Sequence, residues 1–378
     1  MTRHIHSRIM VINAGSSSLR LALFSRQDNS LQAISTQRVD TRAEKATTLL
    51  RRFMAEHRID DDVLIAHRVV HGGMRFKSAI RIDDNVKQHI GELIPRAPLH
   101  NPVALALINE LDSVLPAAQQ IAVFDTAFFH DLPAVAKTYA IAADVSRQHA
   151  IYRYGFHGLA HEYMWRQWCR LTGNSAQRGR LITLQLGSGC SIAAIKDGRA
   201  MDTSMGFSPL EGLVMATRSG DIDPGIALYL QTVAGYSVSA VDELLNKQSG
   251  LLGVSQQSAD MRDLLVSPDA QARLALDIYT YRLRKYIGSY LSVLGGADGI
   301  VFGGGVGENS AVIRARVLDG MAWCGLELDA DTNDAAIGND GCISRPRSRI
   351  PVWVIKVREE LLVAQQVCAL LDKQNTST

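Results

Sequence analysis

The sequence predicts an α/β protein built from two related domains, and three observations carry that expectation. Strand-like apolar runs alternate with helical patterns along the chain. The 378 residues exceed what one ordinary core organises, so two domains of roughly 150–200 residues are expected. A strand–turn–strand layout at 8–24, R-I-M-V-I-N-A-G-S-S-S-L-R-L-A-L-F, returns half a chain later at 181–199 as L-I-T-L-Q-L-G-S-G-C-S-I-A-A-I-K-D-G-R. In this echo Ser18-Leu19 and Ser191-Ile192 are expected to occupy equivalent places, with a ligand where the two turns converge.

Taken in order, strands are expected at 8–13, 18–25, 63–70, 121–124, 181–186, 191–196, 299–302 and 351–357, where apolar runs are bounded by turn residues. Helices are expected at 43–57, 102–115, 158–171, 269–294, 311–324 and 359–372. The 269–294 helix follows Ser267-Pro268, a start signal, and stops at Gly295-Gly296.

Composition excludes several classes. Hydrophobic residues make up 47% and charged residues 21%, as in an ordinary folded, water-soluble protein. The net charge of +2 is spread along the chain without a basic block, so no nucleic-acid partner is implied, whereas a small anionic ligand is compatible. The first apolar run, Ile9 to Ile12, is too short for a secretory core, and no run reaches the ~18 residues of a membrane span. The five cysteines are scattered without a C-x-x-C, which reads as reduced thiols in a cytoplasmic protein.

The turn from Asn13 to Ser18 is not a P-loop, because it lacks the lysine and a strand, not a helix, follows at Leu19. Its small hydroxyls and backbone N–H groups suit either an anion cradle or a solvated hairpin. A third glycine cluster, G-I-V-F-G-G-G-V-G-E-N-S at 299–310, follows a strand. A dinucleotide fingerprint starting at Gly303 would need glycine where Glu308 stands, so the expectation is backbone approach to a nucleotide at the N-terminus of the 311–324 helix. Polar residues interrupt apolar surroundings at His67-Arg68, His71-Gly72-Gly73, His100-Asn101, Asp125 and His157, and each also has a structural reading as a buried, satisfied group. Asp125 ends a strand, where ligand sites of α/β folds gather. His157 and His161 share a helix face, but Gly158 stands where a zinc protease carries glutamate. The stretch 201–225, M-D-T-S-M-G-F-S-P-L-E-G-L-V-M-A-T-R-S-G-D-I-D-P-G, reads as a long functional loop in which Arg218 joins Arg68 as an anion clamp.

Together these motifs resemble the acetate kinase family of short-chain carboxylate kinases, within the sugar kinase/Hsp70/actin superfamily. V-I-N-A-G-S-S-S, H-R-V-V-H-G-G, A-P-L-H-N-P, F-D-T-A-F, Y-G-F-H-G, M-G-F-S-P-L-E-G-L, T-R-S-G-D-I-D-P and G-V-G-E-N occur in the family's order from Ile9 to about Leu370. The resemblance implies two duplicated ribonuclease-H-like domains with the active site in the cleft between them. The expected boundaries are 1–147, completed by a C-terminal helix at about 359–378, and 148–358 for the nucleotide-binding domain. It implies phosphoryl transfer from ATP to acetate by direct in-line displacement, with Mg²⁺ (or Mn²⁺) as cofactor and a homodimer as the assembly. Asn13 and Glu359 resemble the metal-associated pair. Asp125, His157 and Arg218 resemble the catalytic residues, and Arg68 the substrate-binding arginine. Val70, Leu99, Phe156 and Pro209 match the apolar pocket for the methyl group. Arg20, the turn Gln185, Gly187, Ser188 and Gly189, the pair Asp260 and Arg262, and Gly305, Gly307 and Asn309 resemble the nucleotide site.

Some positions depart from the family pattern. Gln185 and Ser188 stand where H-L-G-N-G carries histidine and asparagine, so a weaker phosphate contact is expected. Arg20 replaces a common lysine, Arg358 precedes Glu359-Glu360, and Leu159-Ala160 replace Thr-Ser. The alternatives are therefore a propionate or butyrate kinase of the same family, or a nucleotide-binding homologue with weak or no kinase activity. One methylene is worth only about 1–3 kcal/mol of discrimination.

Overall fold

A computed structural model describes residues 7–15, 18–27, 30–40, 44–98, 100–174 and 178–376. Ser16 and Leu99, both singled out in the sequence, lie outside the described residues. The chain divides into two compact units, one formed by 1–130 with 358–378 and the other by 131–357.

The first unit holds a six-stranded sheet of β1 (Arg8–Ala14), β2 (Ser18–Gln27), β3 (Ser30–Asp40), β4 (Leu64–Val69), β5 (Ile80–Arg81) and β6 (Gln120–Phe124), in the order β3-β2-β1-β4-β6-β5. Strands β1, β4 and β6 run parallel, while β2, β3 and β5 are antiparallel to their neighbours. The parallel strands read as continuous apolar runs because both of their faces are covered. One face packs on Leu49, Leu50, Phe53, Leu107 and Leu111 from the Ala46–Glu56 and Asn101–Val114 helices. The Glu359–Thr376 helix returns to pack on β1, β4 and β6.

The second unit repeats this plan. Its strands are β7 (Arg180–Leu186), β8 (Cys190–Lys196), β9 (Arg199–Thr203), β10 (Gly299–Gly303), β11 (Gly341–Cys342) and β12 (Val352–Val354), ordered β11-β12-β10-β7-β8-β9. An antiparallel meander, two further parallel strands and an antiparallel edge strand recur in the same order and sense in both units. The two domains are thus duplicates in topology.

The register corrects one detail of the expected echo. Asn13 pairs with Arg20 across β1–β2, and Gln185, at the same place in β7, pairs with Ser191. Ser191 therefore corresponds to Arg20, not to the neighbourhood of Ser18. The pairing gives the reason, since the last pair of the first hairpin is Ala14 with Leu19 and that of the second is Leu186 with Cys190, one residue closer in the chain.

The third glycine cluster also differs from expectation. Gly304–Asn309 is itself a short helix starting directly off β10, and Ala311–Leu318 is a separate helix capped by Ser310. Gly304 makes the joint at φ +76°, where a Cβ would lie 2.6 Å from the Leu186 carbonyl oxygen. Glu308 explains why no glycine stands at its position. Its carboxylate accepts from the backbone N–H of Gly304 (2.9 Å) and of Val357 (3.0 Å), capping the helix from within.

Candidate active site

Each unit gathers one set of the residues singled out in the sequence. In the first unit, strand register does the gathering. Asn13 is paired with Arg68 across β1–β4, and Arg68 with Val123 across β4–β6, so Asn13, Arg68 and Asp125 sit side by side at the carboxyl ends of three parallel strands. Arg68 donates from Nη2 to Asp125 Oδ2 (2.7 Å) and from Nη1 to Asn13 Oδ1 (3.3 Å). The Asn13 amide donates to Glu359 Oε2 and to Glu360 Oε1, both at 2.9 Å. Arg20 completes the row, 3.6 Å from Glu360 Oε1.

Electrostatics in this row are dominated by burial. Asp125 is fully buried and Glu359 nearly so. Burial alone would lower the Arg68 pKa, but Asp125, Glu359 and Glu360 outweigh it and hold the guanidinium above its ordinary value. The Glu359 carboxyl is pushed up, first by burial and then by Glu360 and Asp125, against the pull of Arg68. Two guanidiniums, Arg20 and Arg68, face three carboxyl groups, Asp125, Glu359 and Glu360, so the row has an excess of negative groups. Arg68 Nε is buried without a hydrogen-bond partner among the described residues.

In the second unit the hairpin turn 187–189 is the centre. His157 precedes the Gly158–Thr172 helix in a left-handed conformation, φ +58°, which a side chain adopts only when its surroundings enforce it. A Cβ added at Gly189 would lie 3.2 Å from His157 Cε1, 3.3 Å from its Nε2 and 3.7 Å from Arg218 Nη1. Both side chains therefore reach the turn at Gly189, where no side chain intervenes. Behind His157, Nδ1 lies 2.9 Å from Ser191 Oγ, which also lies 2.7 Å from His161 Nε2. The two histidines that share a helix face thus share a serine hydroxyl.

Arg218 reaches this place from the loop between β9 and the Pro224–Thr232 helix. Its Nη1 donates to the Pro209 carbonyl (3.1 Å), and no carboxylate pairs with it among the described residues. Burial lowers its pKa, since no acid compensates. A desolvated guanidinium without a counter-charge is what a bound anion would relieve. The loop is fixed rather than slack. Asp221 accepts from Gly212 N–H (2.7 Å) and from the Tyr286 hydroxyl (2.7 Å), while Ala216 N–H donates to the Ser188 carbonyl (3.1 Å).

The remaining residues are more scattered. Asp260 caps the Met261–Val266 helix and is paired with Arg262 on the surface (2.5 Å). Gly305, Gly307 and Asn309 lie in the short helix after β10, where Asn309 Nδ2 donates to the Gly305 carbonyl (2.9 Å). Gln185 Oε1 is buried without a partner among the described residues. Val70 is buried in the first unit, and Phe156 is buried and Pro209 half-buried in the second.

Sequence reasoning missed Arg314, a fully buried guanidinium. It donates to Asn333 Oδ1 (2.8 Å) and to the carbonyls of Gly307 (2.8 Å), Asn333 (2.6 Å) and Ala336 (3.0 Å), which pins the glycine helix from below. Burial lowers its pKa to about 10. An arginine in the otherwise apolar face of a helix was the available signal. Glu360, which shares the Asn13 amide with Glu359, was also overlooked as a site residue.

Comparison with known proteins matches the chain along most of its length. The model of the acetokinase family covers residues 28–365. An acetate kinase of Thermotoga maritima is 38% identical over 399 residues, spanning 97% of this chain and 99% of its own. One from Chloroherpeton thalassium is 47% identical over 313 residues, 81% of this chain and 75% of its own. The crystal structure of Porphyromonas gingivalis acetate kinase aligns with a TM-score of 0.85 at 35% identity, covering 97% of this chain and 100% of that one. A propionate kinase from Francisella tularensis aligns equally well, with a TM-score of 0.85 at 35% identity over 95% and 98% of the two chains. With a family model matching most of its length, full-length relatives and the same fold, the chain belongs to the acetokinase family.

Proposed function

We propose that this protein is a magnesium-dependent acetate kinase, converting acetate and ATP to acetyl phosphate and ADP. The observation that carries the reading is the Arg68 row, a buried guanidinium held between Asp125 and Asn13 at the carboxyl ends of parallel strands, in a chain of this family. A carboxylic acid is already ionised at neutral pH, so the acceptor needs no strong general base. The obstacle is bringing one anion against another, and cations and donors around the transferring group remove it. Arg68 and Arg218 supply planar cationic forks, and His157 a hydrogen-bond donor. Asp125 orients Arg68 and takes no proton. The acid's methyl group is assigned to Val70, Leu99, Phe156 and Pro209. Gly187–Gly189, with Arg20, Gln185, Asp260, Arg262, Gly305, Gly307 and Asn309, is assigned to the nucleotide.

The residues fit a magnesium ion. Asn13 and Glu359 offer the hard oxygen donors Mg²⁺ takes, and the excess of carboxylates over guanidiniums favours an added cation. Among the described residues no group of three or more His, Cys, Asp or Glu forms a complete cage, in keeping with an ion that shares its coordination with water and nucleotide oxygens. When bound, the ion would neutralise charge on the phosphate oxygens.

The same reading places the protein in the cytoplasm, consistent with five free cysteines, and assembles it as a homodimer. Support for the dimer is an exposed apolar face in the second unit, where Leu228, Tyr229, Val233 and Val238 are each more than half exposed.

Hydroxylamine trapping of acyl phosphate tests the reading, run with acids of two to five carbons and with ATP, GTP and pyrophosphate as donors. Acetohydroxamate formed from acetate and ATP, dependent on Mg²⁺, is the expected result. The similarity to a propionate kinase favours propionate as a second acceptor, and a higher kcat/KM for it would change the assigned acid. ATP binding without any hydroxamate would instead identify a nucleotide-binding homologue.

A further inference from the structure

The hydrogen bonds behind His157 form a chain whose polarity can be read. Thr183 Oγ1 lies 2.7 Å from His161 Nδ1, His161 Nε2 lies 2.7 Å from Ser191 Oγ, and Ser191 Oγ lies 2.9 Å from His157 Nδ1. Thr183, His161 and Ser191 are fully buried. A hydroxyl has one proton to give, and a neutral imidazole donates from one nitrogen and accepts at the other. The Thr183 hydroxyl has no other hydrogen bond among the described residues, so its proton must go to His161 Nδ1 or remain buried and unpaired. An under-used acceptor lone pair is tolerated far better than an orphaned donor. His161 therefore carries its proton on Nε2 and gives it to Ser191 Oγ. The Ser191 hydroxyl then has one acceptor left, His157 Nδ1. That leaves the His157 proton on Nε2, the nitrogen beside the Gly189 turn.

We propose that Thr183, His161 and Ser191 are positioning residues that hold His157 as its Nε2–H tautomer, aiming a fixed N–H donor at the turn where a phosphoryl oxygen would bind. The inference rests on the kinase reading for what the donor meets, but the tautomer itself does not depend on it. Without the relay, a neutral imidazole divides between two tautomers, and only one of them presents a donor to the turn. Nothing in the local sequence marks Thr183 or Ser191, since both are ordinary strand residues.

Long-range ¹H–¹⁵N correlation spectra of the ¹⁵N-histidine-labelled protein at pH 8 decide the matter without substrate. His157 and His161 are both expected as Nε2–H, with assignments taken from His157→Gln and His161→Gln. An Nδ1–H tautomer at either ring overturns the proposal, whatever the activity assay shows. The variant Thr183→Val removes the first donor at nearly constant volume. It is expected to give His157 a mixed tautomer and to lower kcat roughly tenfold with KM little changed, because the lost donor acts on charge that develops in the transition state. Thr183→Ser should restore both readouts. An unchanged His157 spectrum and kcat in the valine variant would show the relay to be idle. Should that variant fail to fold, the wild-type spectrum still decides.

Discussion

Arg218 is a cation that folding has partly desolvated without giving it an acid, a cost that the anion of the proposed reaction would relieve. In the proposed reaction its charge acts on the phosphoryl group in flight, so Arg218→Ala should lower kcat at least a hundredfold in the hydroxamate assay with a much smaller change in acetate KM. Near-wild-type turnover would remove Arg218 from the machinery. At this scale the sequence was most informative where a polar residue broke an apolar run. Asn13, Arg68 and Asp125 stand out because a strand core rarely spends Asn, Arg or Asp without a partner. The roles of Thr183 and Ser191 were not legible, and Arg314 was marked only by its place on an apolar helix face. Their meaning lies in a partner distant in the chain, 34 positions for Ser191 and His157 and 19 for Arg314 and Asn333, and only the folded register supplies it.

Among the elements, β4 and β6 are joined by side chains as well as by their ladder. His67 on β4 is buried, and its Nε2 lies 2.7 Å from Gln120 Oε1 at the start of β6. The Gln120 amide group is itself committed to Asp112 Oδ1 (2.7 Å) and the Ile108 carbonyl (3.3 Å), so His67 is the donor. Burial lowers its pKa from 6.5 to about 4, against weaker opposing effects of Gln120 and Asp112. The sign follows from linkage. Between pH 6.5 and about 4 the unfolded chain binds a proton that the folded one refuses, so stability present above pH 6.5 is lost as the pH falls through that window. Full loss would be on the order of 3 kcal/mol for this group. Thermal midpoints measured from pH 7.5 to 4.5 should fall, and fall less steeply in His67→Gln, whose amide donates to Gln120 without titrating. Equal slopes would mean that His67 does not contribute. The central parallel strands were legible because continuous apolar runs allow few other readings. Strand β3 was not, since it is an exposed strand whose residues alternate between partial and full exposure. The helices between 224 and 266 were also missed. They are four short pieces, three of them capped by single side chains, Asp223, Ser237 and Asp260.

For the whole molecule, the strand–turn–strand echo announced a duplication, but the depth of that duplication is topological. Two sheets with the same strand order and sense share almost no side chains at matching places, and Asn13 and Gln185, or Arg20 and Ser191, show how the copies have diverged. In the first unit Asn13 and Arg20 stand in an ionic row, whereas in the second Ser191 is hydrogen-bonded to two histidines and Gln185 Oε1 has no partner among the described residues, so each unit was recognised by its own motifs. The proposed dimer has no support in either unit's core. It rests on the surface of the second unit, where Leu228 and Val233 are 63% and 67% exposed on and beside the Pro224–Thr232 helix, with Tyr229 and Val238 nearby. A monomer leaves such a cluster in water at a cost, and a stable dimer buries about 800 Å² per partner around such residues. Sedimentation velocity at micromolar concentration should therefore give twice the mass of the 41.3 kDa chain. The double variant Leu228→Asp, Val233→Asp places charges on that face and should sediment as a monomer with its circular dichroism intact. A wild-type monomer would refute the dimer itself, whereas a variant that remains dimeric would move the interface to another face of the chain.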